Sequence, residues 1–112
     1  MSVYLIAQLQ INDRDEYGKY EAGFMDVFSK YDGEILGLDE APETLEGDWP
    51  YTRIVLIRFA SAEEAKSWYE SPEYQAIAQH RFNSASANII MMQGLDGLAE
   101  GTPTREAPSH RL

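Results

Sequence analysis

Apolar residues in the first third of this chain follow two different periods, and the change between them constrains the fold more than any other feature. They first recur at every second position, which is the period of a β-strand, as in Val3, Leu5, Ala7, Leu9 and Ile11. They then recur at spacings of three and four, the period of a helix that buries one face: Tyr17, Tyr20, Phe24, Val27, Phe28 and Tyr31. The pattern predicts a strand followed by an amphipathic helix.

Local signals mark the ends of this helix and the elements that follow it. Asp13 with Glu16 three residues later resembles a capping box, so the helix is expected to begin there. Gly33 is expected to end it as a C-terminal cap. Two further strands are predicted at residues 34–38 and 52–59, separated by a polar connection over 39–50 that contains prolines and a glycine.

A second helix and a final strand complete the pattern. Ser61 with Glu64 forms another capping box, which starts the helix. Ser71-Pro72 is expected to break it, because proline is favoured at the first position of a helix and disfavoured inside one. A strand is expected at about residues 87–93. Residues 96–112 contain several glycine and proline breaks and are expected to form a flexible tail.

The order strand, helix, strand, strand, helix, strand is that of the ferredoxin-like α+β fold, βαββαβ. It contains one four-stranded antiparallel sheet with both helices on one side. A chain of 112 residues has room for one such domain, which we assign to residues 1–95.

The third strand is apolar on both faces, although helices cover only one side of such a sheet. Ile54 and Leu56 alternate along it with Val55, Ile57 and Phe59. A second copy of the chain would cover the remaining apolar face through a self-complementary contact. The sequence therefore predicts a homodimer with its sheets face to face, that is, a dimeric α+β barrel.

Composition excludes several partners and chemistries. The chain has a net charge of −10, and residues 13–48 hold twelve Asp and Glu against three Lys and Arg. Such a surface repels nucleic-acid phosphates and anionic membranes, so neither is an expected partner. This negative charge either keeps the protein soluble or forms an acidic surface to which a partner docks. Because the chain has no cysteine and no signal peptide or membrane span at its start, a cytoplasmic location without disulfides is expected.

Carboxylates, aromatic residues and arginines are concentrated near the polar connection and the break in the second helix. Residues of these types commonly line small-molecule pockets. Glu46 and Asp48 flank Gly47 beside Trp49. A carboxylate held against an aromatic ring in a partly dry cleft can have a raised pKa, so both are candidate catalytic bases and Trp49 is a candidate ligand contact. The alternative is a solvated turn, because Glu-Gly-Asp is common turn chemistry.

Three arginines have different expected roles. Arg81 either holds a substrate carboxylate through its planar guanidinium or pairs with Glu46 or Glu73 to close the domain. Arg58 is a candidate ligand contact that could point into a dimer cavity. Arg53 lies at the end of a strand and is expected to reach water.

The remaining candidates are aromatic. Trp68 and Tyr74 are candidate ligand contacts, although together with Tyr69 they are also spaced as a core-facing helix surface. His80 has no matched carboxylate partner in the sequence, so we assign it no acid–base, metal or haem role. Since no glycine-rich phosphate loop or serine elbow is present, neither a metal nor a cofactor is expected.

Three segments together resemble a known family: Glu46–Trp49, the run from Ala65 to Gln75 with its Trp-Tyr-x-Ser-Pro-x-Tyr string, and Arg81. They are similar to the domain-of-unknown-function family 1330 of the dimeric α+β barrel superfamily, over residues 3–94. The resemblance implies a dimeric ferredoxin-like barrel and no particular reaction. Asp32-Gly33 stands where the family usually has two glycines, and the acidic loop 39–44 is longer than typical, which affects the expected pocket entrance.

Two functions are consistent with these observations. In the first, the homodimer is a small-molecule binding or structural module. In the second, it is a cofactor-independent enzyme, monooxygenase-like or isomerase-like, that acts on a small anionic or aromatic metabolite. In the enzyme Glu46 or Asp48 would move a proton while Arg81 and Arg58 balance negative charge.

Overall fold

The computed structural model describes residues 1–96, which form four strands and three helices. In chain order they are β1 (Val3–Ile11), α1 (Arg14–Phe28), β2 (Glu34–Asp39), β3 (Arg53–Phe59), α2 (Ala62–Tyr69), α3 (Pro72–Ser84) and β4 (Ala85–Gln93). The strands form one antiparallel sheet in the order β2-β3-β1-β4. The predicted ferredoxin-like α+β fold is confirmed.

The helices begin where the capping signals predicted. The side chains of Asp13, Ser61 and Ser71 each accept a hydrogen bond from the backbone N–H three residues later, at 3.1 Å in all three cases. Ser71-Pro72 separates α2 from α3, as expected for a proline at the first position of a helix.

The prediction that Gly33 caps α1 was wrong. The helix already ends at Phe28 with Ser29 as its cap, and among the described glycines Gly47 alone has a positive φ. At Gly33 a side chain is excluded by packing, since a Cβ there would lie 2.6 Å from the Cζ atom of Phe28 and 2.7 Å from that of Phe59. The glycine lets the chain pass close to two buried rings.

The tail predicted for residues 96–112 lies, except for Asp96, outside the described residues. Asp96 is held against the start of β1, because its carboxylate accepts hydrogen bonds from the backbone N–H of Ser2 at 3.0 Å. None of the helices in the part of the chain that the structure describes has the length and apolar character needed to cross a membrane.

The two faces of the sheet have different environments. The three helices and the sheet enclose the core, which takes alternate residues of β1, β3 and β4, such as Leu5 and Leu9 of β1 and Ile57 and Phe59 of β3. The opposite face, which we call the open face, has no layer over it among the described residues. Its apolar side chains are Tyr4, Ile6, Ile54, Leu56, Ile90 and Met92. Ile90 is 58% exposed and Met92 45% exposed.

Candidate functional site

A cavity of about 210 Å³ lies between the sheet and the helices, and we call it the helix–sheet cavity. Strands β1, β2, β3 and β4 form its floor, and α1, α2 and α3 contribute its walls. Most of the lining is apolar: Leu5, Ala7, Phe24, Ile35, Leu38, Val55, Ile57 and Ile89. A concave, largely apolar space with a few polar groups is typical of a small-molecule site.

Trp68 is the centre of the aromatic wall of this cavity. Its ring packs against those of Phe24 at 5.9 Å, Phe28 at 5.5 Å and Phe59 at 5.6 Å between centroids. Tyr74 lies closer still, at 4.3 Å. The indole is buried and its Nε1 has no hydrogen-bond partner among the described residues. Trp68 is therefore both a core residue and a cavity wall.

Two buried tyrosines place hydroxyl groups at the cavity. The hydroxyls of Tyr20, on α1, and Tyr74, on α3, are 2.8 Å apart and share a hydrogen bond. Burial, and then the neighbouring Tyr74 hydroxyl, raises the pKa of Tyr20 far above its usual value. The Tyr20 phenol therefore stays neutral near pH 7 and offers hydrogen bonds rather than a base.

Arg81 lies at the same part of the cavity and has no acidic partner among the described residues. It is 5% exposed, and its guanidinium lies over the rings of Tyr20 at 5.7 Å and Phe82 at 4.9 Å. Its Nε and Nη2 atoms have no hydrogen-bond partner within residues 1–96. Burial acts to lower the pKa of Arg81, but the Tyr74 and Tyr20 hydroxyls raise it overall, so the group remains charged.

The expected pairing of Arg81 with Glu46 or Glu73 is not observed. Glu73 instead accepts a hydrogen bond from Lys30 at 2.5 Å, on the exposed outer side of the helices. A buried charge without a counter-ion is unfavourable, since the attraction that would offset its lost hydration is missing. Arg81 is therefore a buried cation whose charge no carboxylate among residues 1–96 balances.

Arg53 was expected to reach water, and that prediction was wrong. It is 9% exposed and lines the cavity, because it pairs with Leu9 across the sheet and shares the core-facing side with Val55. Unlike Arg81 it is compensated, by Glu21 at 3.2 Å and Glu40 at 3.0 Å.

Four of the sequence-predicted site residues lie away from the cavity lining. Glu46 and Asp48 are exposed on the connection between β2 and β3. Trp49 packs against Tyr51, with ring centroids 5.0 Å apart. The Tyr51 hydroxyl accepts a hydrogen bond from Asn88 of β4 at 3.0 Å, which ties this connection to the open face.

Arg58 also lies on the open face, in register with Tyr4. It donates hydrogen bonds to Glu34 at 2.9 Å and to the Ser2 hydroxyl at 2.7 Å. The fold thus brings Trp68, Tyr74 and Arg81 together at the helix–sheet cavity and leaves Arg58, Glu46, Asp48 and Trp49 outside its lining. The predicted functional roles of all seven residues stay predictions.

His80 gains a partner that the sequence did not reveal. Its Nδ1 atom is 2.5 Å from a carboxylate oxygen of Glu16, which joins α3 to α1 outside the cavity lining. Within residues 1–96, no group of three or more histidine, aspartate and glutamate side chains is placed to hold a metal ion.

Sequence reasoning missed three polar members of the cavity: Tyr20, Glu21 and Arg53. Tyr20 belongs to the apolar stripe of α1, and the sequence does not indicate that its hydroxyl has a buried partner. Arg53 has the same strand parity as Val55, Ile57 and Phe59, and counting that alternation would have placed it inward. Glu21 follows the stripe by one position, and no local signal marks it.

Comparison with known proteins agrees with this architecture. A family model described as a domain of unknown function (DUF1330) matches residues 2–95 of the chain. A protein of unknown function from Rhodopseudomonas palustris superposes with a TM-score of 0.73 at 13% sequence identity, covering 84% of this chain and 82% of that one. No curated protein sequence is significantly similar to the chain.

Two other structures have the same fold. A dimeric ferredoxin-like protein of unknown function from Thermobifida fusca has a TM-score of 0.59 at 11% identity, over 82% of this chain and 90% of that one. SnoaB from Streptomyces nogalater, a cofactor-independent oxygenase, has a TM-score of 0.61 at 9% identity, over 96% of this chain and 98% of that one. At such identities the likeness shows the fold and leaves the chemistry to the site.

Proposed function

Because this chain belongs to the domain-of-unknown-function family DUF1330, which supplies a fold and no reaction, we propose its function from the helix–sheet cavity. The protein is a small-molecule binding module whose ligand is largely apolar and carries an anionic group. An aromatic carboxylate is the ligand class that fits best.

The observation that carries this proposal is the buried guanidinium of Arg81, without an acidic partner among the described residues, at the wall of an apolar cavity. Its Nε and Nη2 atoms lack a partner but are covered by neighbouring atoms, so a carboxylate would accept two hydrogen bonds from them after a small shift of those neighbours, and would supply the missing counter-charge. The hydroxyls of Tyr20 and Tyr74 lie beside it and offer further hydrogen bonds. The apolar part of the ligand would contact Trp68 and its neighbours.

The size of the cavity limits the ligand. Its volume is about 210 Å³, larger than the engineered cavity of ~150 Å³ that is known to bind benzene. It therefore fits one substituted aromatic ring or two fused rings. Met25, Ile35 and Leu38 line the cavity and are exposed, which places an opening between α1 and β2.

The enzyme alternative, a cofactor-independent reaction on a similar metabolite, has less support from the cavity. A proton acceptor is needed, yet Glu46 and Asp48 do not belong to the lining. Burial raises the pKa of Tyr17 and of Tyr20, which disfavours either as a base near neutral pH. Glu21 carries the only carboxylate of the described lining and is paired with Arg53.

The open face supports the homodimer as part of this proposal. Its apolar centre includes Ile6, Ile54 and Leu56, and the charge of Arg58 on the same face is paired with Glu34. Structures with this fold are described as dimeric. The helix–sheet cavity lies on the other side of the sheet, so each subunit keeps its own site. A cytoplasmic location stays a prediction.

Isothermal titration calorimetry with benzoate and 2-naphthoate, each beside its matched carboxamide, tests the ligand class. We expect the wild-type protein to bind at least one carboxylate at least about tenfold more tightly than its amide, since a charge-assisted bidentate pair exceeds about 1.4 kcal/mol. Arg81→Met is expected to lose this preference. Lys30→Met, which removes a positive charge from an exposed ion pair, should keep it.

Thermal unfolding of the same variants separates binding from structural support. Replacing a buried charge that lacks a counter-ion by an apolar side chain of similar length should leave the melting temperature unchanged or raise it. Equal affinity for acids and amides, or no binding of either, would overturn the proposal. A lower melting temperature of Arg81→Met with no effect on ligand affinity would instead support a purely structural role.

A further inference from the structure

We infer that Glu21 limits the helix–sheet cavity to ligands with a single negative charge. It does so by pairing with Arg53, the second arginine of the cavity wall. This inference rests on the proposed function and adds to it a specificity-determining residue. The ligand class thereby narrows from aromatic anions to aromatic monocarboxylates.

The charges around Arg53 are balanced. Its Nη2 atom is 3.2 Å from a carboxylate oxygen of Glu21, and its Nη1 atom donates to Glu40 at 3.0 Å. Glu40 also accepts from Arg14 at 2.7 Å. The hydrogen bond from Arg14 lowers the pKa of Glu40, and that from Arg53 adds to the effect. Two carboxylates therefore neutralise two guanidinium groups, and none of that positive charge is left for a ligand.

Arg53 and Arg81 lie at the same end of the cavity. Arg53 lies over the ring of Tyr17 at 5.5 Å, and Arg81 lies over the ring of Tyr20 at 5.7 Å. These two rings are neighbours on α1, with centroids 5.4 Å apart. If one carboxylate of an aromatic dicarboxylate binds Arg81, a second carboxylate on the same ring of the ligand would lie near Arg53 and Glu21.

The second carboxylate would meet a like charge rather than a free cation. Glu21 lines the cavity and already neutralises Arg53, so a second anionic group loses its water without gaining an uncompensated partner. Removing the Glu21 charge leaves Arg53 only partly compensated. Its Nη2 atom, which Glu21 contacts in the wild-type protein, then becomes a donor for an anion.

The test compares benzoate with isophthalate, which adds a second carboxylate to the same ring, by titration calorimetry near neutral pH. We expect the wild-type protein to bind benzoate at least about tenfold more tightly than isophthalate, which corresponds to about 1.4 kcal/mol. Glu21→Gln should reduce this ratio by about tenfold, mainly through tighter isophthalate binding. Glu21→Ala should shift the ratio in the same direction, because both substitutions remove the charge.

Two control variants test whether the change in the benzoate-to-isophthalate ratio comes from the pairing of Glu21 with Arg53. Glu63→Gln, on the exposed surface of α2, changes the net charge equally and should leave the ratio unchanged. Adding Arg53→Met to the Glu21→Gln variant should abolish the gain for isophthalate, because the freed guanidinium is then absent.

The outcomes distinguish this inference from the function on which it rests. If no carboxylate binds, the proposed function fails. If benzoate binds in an Arg81-dependent manner while Glu21→Gln and Glu21→Ala leave the ratio unchanged, only the role of Glu21 is overturned.

Discussion

The absence of a side chain at Gly33 lets the chain between α1 and β2 pack closely against two buried rings of the core. The backbone of Gly33 is not in the left-handed region of φ. Glycine is needed at this position because a larger residue would collide with the buried rings of Phe28 and Phe59. Both rings are fixed by contacts with Trp68, at 5.5 Å and 5.6 Å between centroids. They therefore have little room to move away from an added methyl group.

Gly33→Ala is expected to lower the free energy of unfolding by about 1–3 kcal/mol, because overpacking forces neighbouring side chains out of position. Gly18→Ala is the matched control. Gly18 lies within α1 with no atom near its missing Cβ, so alanine should stabilise that helix by about 0.5–1 kcal/mol. Urea denaturation of both variants measures the difference. A destabilisation of similar size at both positions would contradict the packing argument.

Helices α1 and α3 are joined outside the core by a polar contact between Glu16 and His80. The hydrogen bond with His80, followed by that with Lys19, lowers the pKa of Glu16 below its ordinary value. A carboxyl group whose pKa is lower in the folded state stabilises the fold above its unfolded pKa. That contribution is lost as the pH falls through the folded pKa. The contact should therefore act at neutral pH and disappear in acid.

Glu16→Gln is expected to lower the melting temperature at neutral pH, and the difference from the wild-type protein should vanish in acid below the lowered pKa of Glu16. In a titration followed by carboxyl NMR shifts, His80→Gln should bring the pKa of Glu16 back toward its ordinary value. The Glu63→Gln variant controls for the loss of one negative charge. A constant difference between wild type and Glu16→Gln at every pH would show that packing, not charge, is responsible.

For the whole molecule, the open face is the feature on which the proposed homodimer depends. Its apolar side chains come from strands β1, β3 and β4, and so form one continuous surface rather than scattered exposed residues. Surfaces of this kind on small domains mark contacts with other proteins. A second copy presents the same surface and can cover it symmetrically.

If the proposed homodimer forms through the open face, Leu56→Lys is expected to convert it to a monomer, because the substitution places an unpaired charge at the centre of the contact. Lysine also reduces the net negative charge, so added repulsion between acidic subunits cannot explain the effect. Leu45→Lys, at a position that is 85% exposed on the connection between β2 and β3, should remain dimeric. Light scattering coupled to size exclusion measures the mass. A monomeric wild-type protein at micromolar concentration, or a dimeric Leu56→Lys variant, would contradict the assignment.

The sequence by itself determined the elements, their order and the apolar character of both sheet faces. These properties depend on residues that are close along the chain, such as the alternation in β1 and β3 or the Ser71-Pro72 break, so they can be read locally. Tertiary structure alone decided which charges meet. The hydroxyls of Tyr20 and Tyr74 pair across 54 positions, and Arg53 takes Glu21 and Glu40 while Arg81 is left without a carboxylate in the described domain. Such pairings follow from strand register and helix packing, because charges separated along the chain interact only where the fold brings them within a few ångströms.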